Sequence, residues 1–365
     1  MSMAKAAVAR THDGPFVIEE LSIGEPRADE VVVRMVATGV CHTDVLSREL
    51  PPEYFAGPVV YGHEGAGVVE RVGSAVTKVV PGDHVVLSFR ACGECSPCGS
   101  GHPAYCLHMV ELNSLGTRTD GTTAFTDADG KPVGSHYFGQ SSFASRTVAA
   151  QASVVKVDPT LDLVKLSPLG CGVQTGAGAV LNVFDVQPGE SIVIAGVGTL
   201  GLAAVMAAKT AGAKTIIAID RHESRLELAR KYGATDVLNV PAAELSAAIR
   251  EVSTDGTDYA LDLTGNGGVI RAIFDGLNGQ GTLGLCGVGF GEVVFDMSTL
   301  LSGRTIKTVI EGDSVPDTFI PHLIELNAQG RFPYDDLIEV FPLDQINDAV
   351  AASVSGAVVK PVLLF

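Results

Sequence analysis

A β-branched run, Ser191-Ile-Val-Ile-Ala195, leads directly into Gly196-Val-Gly198-Thr-Leu-Gly201 and then into an alanine-rich stretch that ends near Gly212. A strand that turns through three glycines into a helix leaves few folds open. The glycines allow a tight turn and let the helix N-terminus approach a pyrophosphate. The next strand ends at Asp220, nineteen residues after Gly201, where a carboxylate can accept from a ribose diol. A carboxylate there also repels a 2′-phosphate, so NAD is expected over NADP; Arg221 and His222, directly after it, temper that preference.

The same alternation continues beyond this unit. Segments 192–195, 216–220, 237–239, 259–263 and 282–287 read as strands. Segments 223–232, closed by Gly233, and 269–277 read as helices between them. Strands alternating with helices build a parallel, doubly wound sheet. Before about residue 170 the texture differs: short β-rich runs at 5–8, 30–37, 65–72, 84–87 and 143–149 are separated by Gly-Pro, Pro-Gly and Asp-Gly turns. With 365 residues and no internal repeat, two domains are expected. The regular alternation fades from about residue 315.

Hydrophobic residues make up 46% of the chain and charged residues 18%, which is enough for a sizeable core and too apolar for disorder. The formal net charge is −17. A surface this acidic is repelled by nucleic acid and by anionic membranes, so neither is expected as a partner. A long uncharged stretch, 191–208, carries the three glycines and reads as strand, turn and helix, not as a membrane span. No apolar leader core is visible in residues 1–20, and a soluble, cytoplasmic protein is expected.

Four of the seven cysteines, Cys92, Cys95, Cys98 and Cys106, fall within fifteen residues. Without an export signal, such crowding points to thiolates around a metal. Four sulfurs describe a closed, tetrahedral zinc site with a structural role; an iron–sulfur cluster is the alternative. Cys41, His63 with Glu64, and Cys171 are dispersed. Each alone is weak, since a single cysteine or histidine is more often core or surface than ligand.

GVCHTD (39–44), GHEGAG (62–67), the four-cysteine segment, LGCGVQTGAGAV (169–180), GVGTLG (196–201) and LLSGRTIK (300–307) follow one another along nearly the whole chain. With these motifs the sequence resembles the zinc-dependent medium-chain alcohol dehydrogenases, and within them the aryl (benzyl) alcohol dehydrogenases. The resemblance implies an α/β protein with a Rossmann doubly wound parallel sheet at 173–314 for NAD. A β-rich GroES-like catalytic domain would occupy 1–172, rejoined by 315–365. Two zinc ions per chain are implied. Cys41, His63 and Cys171 would hold a catalytic zinc with one position open, and Cys92, Cys95, Cys98 and Cys106 a structural one. Asp44 would orient His63, Glu64 would lie behind the metal, and Thr43 would take the alcohol proton. His42 and Lys360 match positions at the cofactor pyrophosphate and Thr175 one near the nicotinamide. Val288 joins Gly196, Gly198, Gly201 and Asp220 in the NAD site. Tyr137 and Phe138 match positions lining the alcohol cleft.

Two departures bear on function. Many relatives end a proton relay in a histidine where this chain has Leu46, and glutathione-dependent formaldehyde dehydrogenases carry an arginine where it has Val110. Cys286 matches no ligand and reads as a small buried hydrophobe. The expected activity is reversible NAD-dependent oxidation of a primary aromatic or bulky allylic alcohol to its aldehyde. A thiol-adduct (S-hydroxymethyl) substrate and a short aliphatic alcohol are the rivals. The aromatic pair disfavours a polyol, and the open ligand set disfavours a non-catalytic NAD-binding module. The partners are then a small alcohol or aldehyde and further copies of the chain, as a dimer or a tetramer.

Overall fold

The computed structural model describes residues 2–49, 57–289 and 291–365. The chain divides into two units. One comprises Met1–Gly172, Val315–Ile324 and Asp335–Phe365, and the other Val173–Ser314 and Glu325–Tyr334.

The first unit is built on two sheets. One runs Val59–Val60, Ser2–Ala9, Phe16–Ile23, Phe125–Thr126 and Pro132–Val133 across its width, antiparallel throughout. The other sets Val154–Val157, His84–Leu87, Gly65–Val72, Glu30–Gly39, Lys360–Leu364 and Ile338–Pro342 side by side, with Arg146–Ala150 also paired to Glu30–Gly39. Ala4, Ala6, Ala7, Val8 and Ala9 are all buried, so the first strand is covered on both faces, which small side chains permit. The strand expected at 143–149 begins at Arg146, because Phe143 and Ala144 instead bridge to the first strand. There the Ala7 N–H donates to Phe143 O at 2.9 Å. The strand Glu30–Gly39 ends where Gly65–Val72 begins, with Thr38 opposite Gly65. Residues just beyond those two ends are therefore neighbours, although far apart in sequence.

The six strands of the second unit are ordered Asp236–Leu238, Thr215–Ile219, Ser191–Ala195, Thr257–Asp262, Leu277–Leu285 and Thr305–Thr308, all parallel. The strand order reverses beside Ser191–Ala195, and the glycine turn leaves that strand's carboxyl end, where open α/β sheets bind ligands. Ile192, Val193, Ile194 and Ala195 are all buried, as a central parallel strand requires. The helix expected at 269–277 runs Gly267–Asp275, because the Asn266 side chain caps it and accepts from Gly268 N and Val269 N. The sixth strand is exposed along its length and carries no apolar alternation to mark it in the sequence. Among the described residues no helix is long and apolar enough to cross a membrane.

A buried ionic network fastens the segment after the cysteine cluster to the second sheet. Glu30 accepts from Arg118 Nε (2.6 Å) and Nη2 (2.7 Å) and from Arg27 N (2.8 Å), and lies 3.2 Å from His136 Nε2. Ser135 Oγ meets His136 Nδ1 (2.8 Å) and accepts from Ala124 N (2.7 Å). Burial would raise the Glu30 carboxyl, but Arg118 and then His136 outweigh it and hold the group well below the usual carboxylate range. A carboxylate depressed in this way adds stability that is complete above its unfolded pKa of about 4.3 and is lost as pH falls through the lowered value. Glu30→Gln strands the Arg118 charge and is expected to cost roughly 3–5 kcal/mol at neutral pH in a denaturant melt. The gap to the wild type should narrow below about pH 4. Equal stability at neutral pH would mean that this network does not hold the segment.

Candidate active site

Cys41 follows the strand Glu30–Gly39, His63 precedes Gly65–Val72, and Cys171 follows the short turn Ser167–Gly170. The two sulfurs and a ring nitrogen of His63 lie within 4.8 Å of one another, and all three residues are buried. The Asp44 carboxylate explains how the histidine is presented: it accepts from His63 Nδ1 (2.7 Å), Gly62 N (3.1 Å) and Cys41 N (3.0 Å). With Nδ1 held, His63 Nε2 is left buried and without a hydrogen-bond partner. A buried polar atom in that state is costly unless something takes its lone pair. The Cys41 thiol is held well below the usual thiol range, first by a hydrogen bond with Cys171 and then by charge on His63 and Lys360. Burial opposes a charge on His63, yet Asp44 and Cys41 outweigh it and raise the imidazole. Two thiolates and one imidazole with an orphaned nitrogen fit a zinc ion that keeps one position open.

Glu64 and Lys360 form a buried pair in the same cluster. Glu64 Oε2 meets Lys360 Nζ, Glu64 Oε1 accepts from Gly172 N (2.9 Å), and Lys360 Nζ also donates to Val40 O (3.2 Å). Gly39 makes room for them, since a Cβ there would stand 1.9 Å from Glu64 Oε2. The resemblance puts Lys360 at a cofactor pyrophosphate. In the structure its ammonium is instead engaged inside the cluster, because a fully buried Glu64 needs a counter-charge. Thr43 lies in the first turn of helix His42–Glu49, with its Oγ1 3.6 Å from Cys41 Sγ; His42 is exposed and Leu46 half-buried.

Cys92, Cys95, Cys98 and Cys106 also converge, with all four sulfurs within 4.8 Å. Separations of 3.9 Å (Cys92–Cys98), 3.4 Å (Cys95–Cys98) and 3.9 Å (Cys95–Cys106) are too long for disulfide bonds. Backbone N–H groups point at the sulfurs: Cys95 N at Cys92 (3.3 Å), and Cys92 N and His108 N at Cys106 (3.4 Å each). Backbone N–H bonds from Leu107 and Cys98 bring the Cys95 thiol down to about 6, while burial pushes Cys98 up to about 12. Four sulfurs this close do not all ionise without a cation among them, and a closed four-thiolate zinc site meets that need.

Gly196, Gly198 and Gly201 occupy the turn between Ser191–Ala195 and helix Thr199–Ala211. A Cβ on Gly201 would come within 2.1 Å of Gly196 O, so helix and strand could not pack as they do. Around Gly198 a Cβ would meet nothing within 4 Å, which is space that a diphosphate can use. Asp220 lies against this turn: Oδ2 accepts from Val197 N (2.9 Å) and Oδ1 from His222 N (2.9 Å), with Arg225 Nη1 3.8 Å from Oδ2. Thr175 is buried with its hydroxyl toward Glu311, and Val288 is exposed beyond the end of Leu277–Leu285.

The two rings expected to line one cleft touch each other, with centroids 4.9 Å apart, and differ in exposure. Tyr137 is only 2% exposed, lodged edge-on against Tyr61 at 4.8 Å, and its hydroxyl meets Ser47 Oγ at 2.8 Å. With its hydroxyl satisfied by Ser47, Tyr137 packs beside the ligand cluster, edge-on to His63 at 5.8 Å. Phe138, with a left-handed φ of 50°, is only partly buried and stacks on the His63 ring at 4.5 Å and 26°. Gln140 carried no signal in the sequence. It is fully buried, donates to His63 O (3.0 Å) and Ser88 O (3.2 Å), and accepts from Gly65 N (3.1 Å), so it fixes the loop that presents His63. A single polar residue has no periodicity to announce it.

The family described as alcohol dehydrogenase GroES-like domain matches residues 27–159, and that described as zinc-binding dehydrogenase matches residues 199–328. A geraniol dehydrogenase of Castellaniella defragrans is 42% identical over 99% of this chain and 98% of its own length. An S-(hydroxymethyl)glutathione dehydrogenase of Escherichia coli is 38% identical over 99% of this chain and 100% of its own. Among solved structures, an alcohol dehydrogenase zinc-binding domain protein from Burkholderia ambifaria matches with a TM-score of 0.96 at 48% identity, covering 100% of this chain and 99% of its own. Benzyl alcohol dehydrogenase from Acinetobacter calcoaceticus matches with a TM-score of 0.95 at 40% identity, covering 100% of both chains.

Elemental analysis should find two zinc ions per chain. Cys41→Ser should lose the ion of the buried three-ligand set and leave the fold intact, whereas Cys98→Ser should lower the melting temperature, because a structural zinc contributes directly to folding. A single metal in the wild type, or iron among Cys92, Cys95, Cys98 and Cys106, would contradict this assignment.

Proposed function

We propose that this chain, which belongs to the zinc-dependent medium-chain alcohol dehydrogenases, reversibly oxidises primary aromatic or bulky allylic alcohols to aldehydes with NAD. Residues 1–172 with 315–365 would carry the chemistry and 173–314 the cofactor. The carrying observation is Phe138, stacked on the metal-ligand candidate His63. A partly exposed ring there gives an apolar substrate a surface to pack on beside the reacting oxygen, and the geraniol and benzyl alcohol relatives support the same class.

When bound, zinc supplies Lewis acidity that lowers the pKa of an alcohol oxygen, and NAD supplies a hydride acceptor. The chain's own residues do the rest. Cys41, His63 and Cys171 hold the metal, and Asp44 fixes the His63 tautomer by occupying Nδ1. Lys360 and the Gly172 N–H engage both oxygens of Glu64, so this carboxylate does not close the open position. Thr43 Oγ1, beside Cys41 Sγ, would accept the alcohol proton while handing its own hydroxyl proton on to solvent. Leu46, in place of a histidine, offers no titratable group to that relay. Gly196, Gly198 and Gly201 receive the pyrophosphate, and the Asp220 charge favours a ribose diol over a 2′-phosphate.

A thiol-adduct substrate is the second reading, favoured by the S-(hydroxymethyl)glutathione relative. The uncharged Val110, 70% exposed, offers no cation to an anionic thiol carrier. Thr305–Thr308 stands last in the strand order of its sheet, and Met297, Leu301 and Ile306 are exposed around it. That surface supports a homo-oligomer formed at this edge. Seven cysteines, none of them in a disulfide, suit a reducing compartment such as the cytoplasm.

The test compares kcat/KM for benzyl alcohol, geraniol, S-hydroxymethylglutathione and ethanol, with NAD and NADP side by side. Each extra buried CH₂-sized group is worth about 0.8 kcal/mol, so the two bulky alcohols should exceed ethanol by roughly two orders of magnitude or more, with NAD preferred. Phe138→Ala should cut the benzyl alcohol value by about tenfold and leave ethanol nearly unchanged, on the scale of a lost ring–ring contact of about 0.5–1.5 kcal/mol. Ethanol or the glutathione adduct at or above the bulky alcohols would contradict the reading.

A further inference from the structure

One residue beside the buried ligand cluster has no place in the mechanism above. His63 and Glu64 stand between two glycines, Gly62 with a left-handed φ of 91° and Gly65, so this short loop has little stiffness of its own. Asp44 holds the His63 ring, and Lys360 engages the Glu64 carboxylate. The loop backbone is gripped by the Gln140 amide. Its Nε2 donates to His63 O (3.0 Å) and to Ser88 O (3.2 Å), while its Oε1 accepts from Gly65 N (3.1 Å). Reversing the amide would set its oxygen against two carbonyl oxygens, so these partners dictate which end points where. Gln140 and Ser88 are both fully buried.

Ser88 carries the connection to a second ligand candidate. Its Oγ donates to Gly170 O at 2.7 Å, and Gly170 directly precedes Cys171. The approach is close: a Cβ on Gly170 would stand 2.3 Å from Leu87 O and 3.4 Å from His63 O. Gln140 Nε2 therefore bridges the segment of His63 to the segment that seats Cys171. Gln140 also belongs to the turn that carries Phe138, with its N–H donating to Tyr137 O at 3.1 Å. The ring stacked on His63 and the loop that presents His63 thus share one anchor. A metal held by two thiolates and an imidazole needs those atoms at set separations, and groups that fix the ligands in advance strengthen its hold.

We propose that Gln140 is a positioning residue for the buried metal site: by tying His63 O to Ser88 O it sets the separation of His63 from Cys171. This rests on the reading that Cys41, His63 and Cys171 hold zinc. The experiment titrates the zinc-loaded protein with a chelator of known affinity and reads the Kd of each ion, with a Cys41→Ser background isolating the ion of the four-cysteine cluster. Gln140→Met keeps a similar length and removes both N–H donors. It should raise the zinc Kd of the three-ligand set roughly 10–100-fold, the usual scale for losing a group that supports a metal ligand. The Kd at the four cysteines should stay within about twofold. Gln140→Glu keeps an acceptor for Gly65 N and offers at most one donor to the two carbonyls, so its Kd should fall between those of Gln140→Met and the wild type. An unchanged Kd at the three-ligand set overturns the proposal. So does an equal rise at both sites, which a general loosening of the unit would produce. A wild type holding zinc only at the four cysteines overturns the metal reading itself, and the proposal with it. Should Gln140→Met fail to give a cooperative melt, Gln140→Glu decides alone: a raised Kd at the three-ligand set only supports the proposal, and any other result overturns it.

Discussion

The first unit depends on one buried carboxylate. Asp44, at the start of helix His42–Glu49, accepts hydrogen bonds from Cys41 on its own segment and from Gly62 and His63 on another. Three donors compensate a charge that full burial would otherwise make very costly. The same three bonds fix where the loop before Gly65–Val72 sits relative to the end of Glu30–Gly39. They also select the ring nitrogen that His63 offers. Folding energy and metal-site geometry are therefore the same interaction, seen from two sides.

A second buried pair explains why the end of the chain returns to the beginning. Lys360 opens the last strand, which pairs with Glu30–Gly39, and Val40 N donates to Pro361 O at 2.9 Å. That pairing delivers an ammonium to Glu64 from far along the sequence. The ligand cluster is incomplete without residues from both ends of the unit. Gly39 belongs to the same arrangement, since any side chain there would displace the Glu64 carboxylate.

Much of the second unit is legible in the sequence because its signals are local. The run 191–195 with its three glycines, the helix closed by Gly233 and the β-branched strands each declare themselves within a dozen or so residues. The cysteine cluster is legible for the same reason. What stays hidden arises from long-range pairing. Glu30 finds Arg118 and His136, and Lys360 finds Glu64, across stretches where no period links them. Tyr137 and Phe138 are adjacent in sequence and look equivalent, yet the fold buries the first ring and leaves the second only partly buried, both against His63. Glu311 reads as one more acidic residue in an acidic chain, and only the strained turn around it shows that it is held inside.

The central claim is that Cys41, His63 and Cys171 form a metal site with one position left open, because Asp44 and Lys360 hold the neighbouring groups in place. Crystallographic anomalous scattering collected at the zinc edge tests this most directly. It should show one peak bonded to Cys41 Sγ, His63 Nε2 and Cys171 Sγ, with its remaining position taken by solvent or an alcohol and with Glu64 still paired to Lys360. A peak closed by Glu64 as a fourth protein ligand, or no metal between these three residues, would contradict the account.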